Sequence, residues 1–499
     1  MPNFHSIVSR RDFVKALGLT GAGIGTAAAA VPVFQDLDDV TASPNAEWKR
    51  PWWVKQRELD DPTTEIDWDM MYRSDGRMVG QVRSVQIKYL GEEEVNRRNA
   101  VGTKFTSDGL KNNTPGLRLR DQALAAGVMS MLPMAMGQIP SMSFMGPSTA
   151  TPEARGVAKY QGTPAENSRM LRSALIFYGA AQVGYGEVTQ RYKDKLFRTF
   201  DKGNAATAYQ GAWPPPLTQC KQYFFEDVPV GYETTEKMVF PSNVPLYEFT
   251  FTVAMSKEMF RCSPSSALQN AANLSRYTTM SQIQPKIQAF IKSLGYQCYG
   301  YTLPMNGAVP TIASAILTGL GEGARNVGAF NNPEFGSITG LFHLITDLPL
   351  EPTPPIDAGM WRFCHTCTKC ADSCPWNAIP TDHEPTWEIP KLYGQEDTTH
   401  VPGKKQFWTN SVDCWLGRVQ LGTCGACMGT CTFNTGKNAI HDYVKATLST
   451  TPVFNSFLWQ ADKAFGYGLR EGEDLENWWD MPQPIGGFDS TCGIQGGSY

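Results

Sequence analysis

From Leu246 to Met255 the chain alternates: Tyr247, Phe249, Phe251, Val253 and Met255 are apolar or aromatic, with Glu248, Thr250, Thr252 and Ala254 between them. A period of two places each set on its own side of a sheet, so this stretch predicts a half-buried strand. Upstream, Met170, Leu171, Ala174, Leu175 and Tyr178 recur at helical spacing. Thr163 and Glu166 form a capping box before them, with Pro164 at the first helical position. Downstream, Met280, Ile283, Ile287, Phe290, Ile291 and Leu294 share one face of a second helix that Gly295 stops. Pro285 falls inside this pattern and predicts a kink or two shorter helices. "YQCYGYTL" reads as a further strand. This alternation of helix and strand argues for an α/β domain from about 160 to 350. Residues 43–160 show no clear period. They predict a loop-rich cap, or in part the lining of an apolar channel, since "EWKRPWW" and "GVMSMLPMAMGQIPSMSFMG" are aromatic and methionine-rich.

Composition narrows the classes. A chain of 499 residues has room for two or three domains. A net charge of −4 with 18% charged residues gives no footprint for nucleic acid. The 34 prolines and 46 glycines predict long irregular connections. The cysteines carry most of the chemistry. "CHTCTKCADSCP" sets Cys364, Cys367, Cys370 and Cys374 at spacings of two, two and three, with Pro375 closing the run. Thiols this crowded do not reach disulfide geometry with one another, and a chain of this length needs no disulfide staples. C-x-x-C pairs also hold zinc. The C-x2-C-x2-C-x3-C-P run, however, is that of bacterial two-cluster ferredoxins, whose fourth cysteine ligates the other cluster. A second set, Cys414, Cys424, Cys427 and Cys431, supplies the partner. The crossover then assigns Cys364, Cys367, Cys370 and Cys431 to one [4Fe-4S] cluster, and Cys374, Cys414, Cys424 and Cys427 to the other. The second set is irregular: nine residues separate Cys414 from Cys424, and no proline follows Cys431. Cys220, Cys262, Cys298 and Cys492 are isolated and read as packing residues.

At the N-terminus, "SRRDFVKALGLTGAGIGTAAAAVPVF" places Arg10 and Arg11 before an uncharged run from Ala16 to Phe34. A twin arginine ahead of a mildly apolar segment marks export of folded, cofactor-loaded proteins. A glycine- and alanine-rich run is a poor membrane anchor, so residues 1–42 read as a signal peptide, cut within Ala27–Ala30 or near Ala42. "GLGEGARNVG" does not match G-x-G-x-x-G, and no Walker loop, H-E-x-x-H or G-x-S-x-G occurs. The six histidines are scattered, and His365 inside the cysteine run reads as a cluster neighbour.

The chain resembles the respiratory reductive dehalogenases, the cobalamin and iron–sulfur enzymes of organohalide-respiring bacteria. The resemblance runs over nearly the whole length: the twin-arginine segment, "PWWV", "GLGEGAR", "TDLPLEPTPPIDAG", the two cysteine sets, "TTPVFNSF" and "FGYG". It implies a nitroreductase-like α/β (α+β) core over 161–350 that binds cobalamin without a histidine on cobalt. A ferredoxin-like domain with two [4Fe-4S] clusters follows over 351–450, then a C-terminal extension over 451–499. The absence of a D-x-H-x-x-G run agrees with this. Cluster electrons alone do not cleave a carbon–halogen bond, which calls for a reactive metal cofactor. The resemblance further implies that Tyr277 donates the proton replacing halide and that Asn306 contacts the substrate region, both beside the cobalamin. A basic residue usually accompanies the tyrosine. Here Gly340 stands where an arginine is often found, leaving His343 and Arg325 as candidates.

The implied function is reductive removal of halide from an organohalide, a chlorinated ethene or a chlorinated aromatic, with two electrons and a proton. The implied setting is the outer face of the cytoplasmic membrane, with a small membrane-anchor subunit and a respiratory electron-donor complex as partners. Two other classes fit parts of the pattern. An epoxyqueuosine-reductase-like cobalamin enzyme shares the plan, but the export signal and the lack of a basic footprint count against it. A non-catalytic electron carrier would not need the roughly three hundred residues between signal and cysteines.

Overall fold

A four-stranded antiparallel sheet organises the chain. In the computed structural model, residues 50–129, 142–203, 212–217, 220–303, 307–434, 439–464 and 468–483 are described. The export segment, Asn306, Cys492 and most of the methionine-rich stretch lie outside them. The strands are β1 (Gln182–Glu187), β2 (Tyr247–Ala254), β3 (Cys298–Tyr299) and β4 (Thr339–Thr346), in the order β1–β2–β4–β3. Every neighbouring pair is antiparallel, so the mixed α/β fold is of the α+β kind and not a parallel α/β layer.

β2 is the alternating segment, but it is buried on both faces instead of one. On one face Phe249, Phe251 and Val253 stand opposite Leu344, Phe342 and Gly340 of β4. This face packs against α2 (Pro164–Tyr178) and α3 (Ala267–Ser293), through Leu171, Leu175, Met280, Ile283 and Ile287. On the other face Glu248, Thr250 and Thr252 lie beneath α4 (Thr311–Leu317), whose Ser314 hydroxyl donates to Glu248 Oε2 at 3.0 Å. The polar row marked the side covered by a polar contact rather than the side open to water.

α2 begins as the capping box requires: Glu166 N–H donates to Thr163 Oγ1, and Thr163 N–H donates to Glu166 Oε2. Of the expected kink or pair of helices, the pair does not form: α3 runs as one helix of 27 residues with Pro285 inside. A proline in the interior of a helix costs about 3 kcal/mol. Each fully buried Met280, Ile283, Ile287 and Ile291 returns about 1.5–3 kcal/mol, enough to hold the helix across the sheet. β3 is shorter than the expected strand because the Gln284 carboxamide replaces its ladder: Oε1 accepts from Tyr301 N–H, and Nε2 donates to Tyr301 O.

The N-terminal cap is more helical than expected. Its longest helix, α1 (Glu92–Lys111), carries Val95 as its one buried apolar side chain. It docks instead through Gly102, where an added Cβ would meet Val419 O at 2.0 Å. The Arg98–Asp413 ion pair at 3.0 Å adds to this contact. Both partners belong to α6 (Ser411–Gln420), beyond α5 (Met360–Thr366), in the cysteine-bearing region. No helix among the described residues is long and apolar enough to cross a membrane.

Candidate redox site

Eight thiols gather in two neighbourhoods. Cys364 sits on α5, whose start is held by Glu322: Oε2 accepts from Ala358 N–H at 2.9 Å and Met360 N–H at 3.0 Å. Cys364 interacts with Cys431 and Cys367; Cys370 interacts with all three of these and with Cys427. Asn331 lies across Cys364 and Cys431, 4.0 and 3.6 Å from their sulfurs. In the second neighbourhood Cys414, on α6, interacts with Cys424 and Cys374, and Cys427 interacts with all three. The Cys370–Cys427 contact joins the two groups. Burial pushes the Cys414 thiol up to about 12 and the Cys431 thiol up to about 11. Thiolates there need cationic metal beside them. Among the described residues no three Cys, His, Asp or Glu side chains are spaced to share one metal ion. Residues 364–431 thus form a ferredoxin-like region.

A cavity of about 740 Å³ opens beside the second neighbourhood, and Cys414 and Trp415 are part of its wall. The cap contributes Trp68 and Tyr72, α4 contributes Ile312 and Ile316, and Trp361 and Phe407 close it from the cysteine region. His400 also lines it, with Nδ1 2.6 Å from Asp397 Oδ2. Cys414 thus belongs to the second thiol group and to the cavity wall at once.

Tyr277, His343 and Arg325 separate in space. Tyr277 is on α3, edge-on to Phe342 with ring centroids 6.2 Å apart, on the α3 face of β4. It is not among the described residues lining the cavity. His343 points the other way, because neighbours along a strand face opposite sides. Its Nε2 accepts from Val309 N–H at 3.3 Å, which leaves the proton on Nδ1, 2.9 Å from Tyr301 Oη. Burial, with Arg198 adding to it, pushes its pKa down to about 3, so it is a neutral core histidine and not a cation for Tyr277. Arg325 is likewise elsewhere. Its guanidinium donates to Cys364 O and Pro380 O and stacks 3.8 Å from the Phe407 ring centroid, against the first group of thiols. Asn306 lies outside the described residues.

Two cations that sequence reasoning passed over stand at Tyr277. Arg276 Nη2 donates to Tyr277 Oη at 3.0 Å. Arg418, on α6, packs over the Trp415 ring at 5.3 Å. Burial lowers its pKa; Tyr277 raises it, Arg276 lowers it further, and Cys424 and Cys414 raise it. Arg418 thus joins the cavity wall and the second thiol group to Tyr277. Its spacing of four from Cys414, one helical turn on the same face, was the available signal.

Buried thiols gathered at the wall of a large, partly open cavity beside an α+β core are the arrangement of a redox enzyme. The family model for the reductive dehalogenase subunit matches residues 49–350. The chain is 31% identical to a chloroethene reductive dehalogenase of Dehalococcoides mccartyi strain VS, covering 98% of this chain and 99% of that one. It is 30% identical to a trichloroethene reductive dehalogenase of another strain of that species, covering 97% and 98%. A solved reductive dehalogenase structure described in terms of B12-dependent dehalogenation shares the fold, with a TM-score of 0.54 at 18% identity. That match covers 84% of this chain and 49% of the solved one, so this chain spans about half its length. The chain belongs to the reductive dehalogenase family.

Proposed function

We propose that this reductive dehalogenase acts on chlorinated ethenes, using a corrinoid and two [4Fe-4S] clusters. Near-full-length similarity to two chloroethene-type enzymes supports the substrate class over chlorinated aromatics. The observation that carries the mechanism is Cys414, a member of the second thiol group and of the cavity wall at once. The residues fit a corrinoid: the cavity is large, its walls are mainly apolar, and Thr398, Thr399 and Ser411 offer polar groups to a macrocycle's amide side chains. When bound, the corrinoid supplies the reactive metal for carbon–halogen cleavage. Cys364, Cys367, Cys370 and Cys431 hold the outer cluster, and Cys374, Cys414, Cys424 and Cys427 hold the one at the cavity. Tyr277 donates the proton that replaces halide. Its oxygen accepts from Arg276, so its own O–H remains free to donate.

Export through the twin-arginine segment and docking to a membrane-anchor subunit on the outer face of the membrane complete this reading. They rest on Arg10–Arg11 and the family resemblance. The decisive experiment is anaerobic turnover of purified enzyme with a low-potential donor. Halide release would be measured over a panel of chlorinated ethenes and aromatics, alongside iron and corrinoid content. Release from the ethenes by corrinoid-loaded protein is expected; activity confined to aromatics would overturn the substrate assignment.

A further inference from the structure

The space above β4 at Gly340 is filled by an arginine from a different element. Gly340 has no positive φ and pairs regularly with Val253, so its backbone does not require glycine. What requires it is room: an added Cβ would lie 2.8 Å from Arg276 Cβ and 3.1 Å from Arg276 Cδ. The side chain crossing this space delivers its guanidinium to Tyr277, with Nη2 at 3.0 Å from Oη and Cζ at 4.7 Å from the ring centroid. Phe342, two residues on and on the same face, supports the Tyr277 ring from below. Among the described residues no carboxylate pairs with Arg276, and its buried Nε has no partner. The charge is therefore not part of a structural ion pair, and the side-chain acceptor it has is the Tyr277 oxygen.

We propose that Arg276, admitted by the missing side chain at Gly340, is the positioning residue that makes Tyr277 a proton donor. The inference rests on the reading of Tyr277 as that donor. In the step, the Tyr277 O–H bond breaks and the proton joins the substrate carbon as a C–H bond. The halide leaves as an anion with the carbon–halogen bonding pair, and the two electrons delivered through the clusters remain on that carbon as the pair that takes the proton. The O–H pair stays on oxygen as phenolate, which receives the Arg276 N–H as a charge-assisted hydrogen bond. Solvent then returns the proton. Adjacent helix positions do not normally face each other. Here the tyrosine ring leans onto Phe342, and the longer arginine, passing over Gly340, reaches round to its hydroxyl.

The test moves the guanidinium from one backbone to the other. Holoenzymes carrying Arg276→Ala, Arg276→Gln, Tyr277→Phe and the double change Arg276→Gly with Gly340→Arg, which also removes the Cβ that an added side chain at 340 would meet, are compared anaerobically for iron, corrinoid, kcat and KM. Arg276→Ala is expected to keep both cofactors and KM while kcat falls on the order of 10²-fold, the scale of one lost oxyanion donor. The double variant is expected to regain at least tenfold of this. A crystal structure of the double should place the new guanidinium within hydrogen-bond reach of Tyr277 Oη. A purely structural role for Arg276 would not be rescued from another element. If Arg276→Ala loses cofactor, Arg276→Gln, which keeps the stem, is read in its place. Normal kcat in a cofactor-loaded Arg276 variant, or no rescue in a double whose guanidinium does reach Tyr277, overturns the proposal. Tyr277→Phe separates the two layers: its inactivity beside a normal Arg276 variant refutes only the role of Arg276, whereas its full activity refutes the proton-donor reading beneath.

Discussion

Removing one oxygen from Tyr277 leaves the ring on Phe342 and takes away both the transferable proton and the acceptor of Arg276. Tyr277→Phe should therefore retain iron and corrinoid and lose turnover by roughly the 10²–10⁴-fold typical of a general acid. A fully loaded variant with near-normal halide release would show that the proton comes from elsewhere. Arg325 illustrates the opposite case. Both sides of its fork are engaged, by Cys364 O and Pro380 O, so Arg325→Met takes its donors from one buried and one half-buried carbonyl beside the first group of thiols. The expected outcome is loss of that cluster's paramagnetic signal with the cavity-side signal intact; retention of both would make the arginine dispensable to the cluster. The sequence offered Tyr277 through its motif but could not tell which arginine would meet it. Arg276 was not among the candidates: adjacent helix positions normally diverge, and Gly340, on a strand sixty-odd residues away in sequence, leaves the room in which it turns back.

At the level of elements, the sandwich of β2 between α3 and α4 carries a titration. Burial raises the Glu248 carboxyl to about 7, opposed by the hydrogen bond from Ser314. Because the folded value lies above the unfolded one, the stability from keeping Glu248 neutral is complete below about pH 4.3. It is lost as pH rises through 7, on the order of 3 kcal/mol by pH 8. Glu322, raised to about 7, and Asp201, raised to about 6, act in the same direction. Anaerobic thermal denaturation at a fixed scan rate should show the midpoint falling between pH 5.5 and 8. Glu248→Gln should flatten that fall and raise the midpoint at pH 8; parallel profiles for the two proteins would refute the assignment. The same elements show the limit of periodicity. The alternation in β2 located the strand, yet whether its polar row met water or α4 depended on a helix more than fifty residues downstream. α1 had no apolar stripe to reveal it, because its contact with α6 is a glycine against a carbonyl.

Over the whole molecule, the proposed electron path runs from the group of Cys364, Cys367, Cys370 and Cys431 to the group at the cavity, and on that proposal the crossing of the two ligand sets is what brings the clusters together. Cys374→Ala should remove the same paramagnetic signal as Cys424→Ala, while Cys431→Ala should remove that of Cys367→Ala. If Cys374→Ala and Cys367→Ala lose one common signal, the wiring is wrong. The proposed export belongs to this scale as well, because the twin-arginine route would require the whole loaded enzyme to be folded before it crosses. Changing Arg10 and Arg11 to lysine should trap a longer precursor inside the cell, and normal export of that variant would remove the signal-peptide reading. The sequence by itself determined the features that are local in the chain: the cysteine spacings that demand clusters, the capped helix α2, the strand β2 and the family to which the motifs belong. Tertiary structure alone decided which cation faces Tyr277, why His343 and Arg325 do not, and that Cys414 stands in the cavity wall. Ligand spacing and helix or strand period repeat over a few residues and leave their mark on consecutive positions. The partner of a guanidinium is set by which face of a strand a distant helix covers, and no short stretch of chain records it.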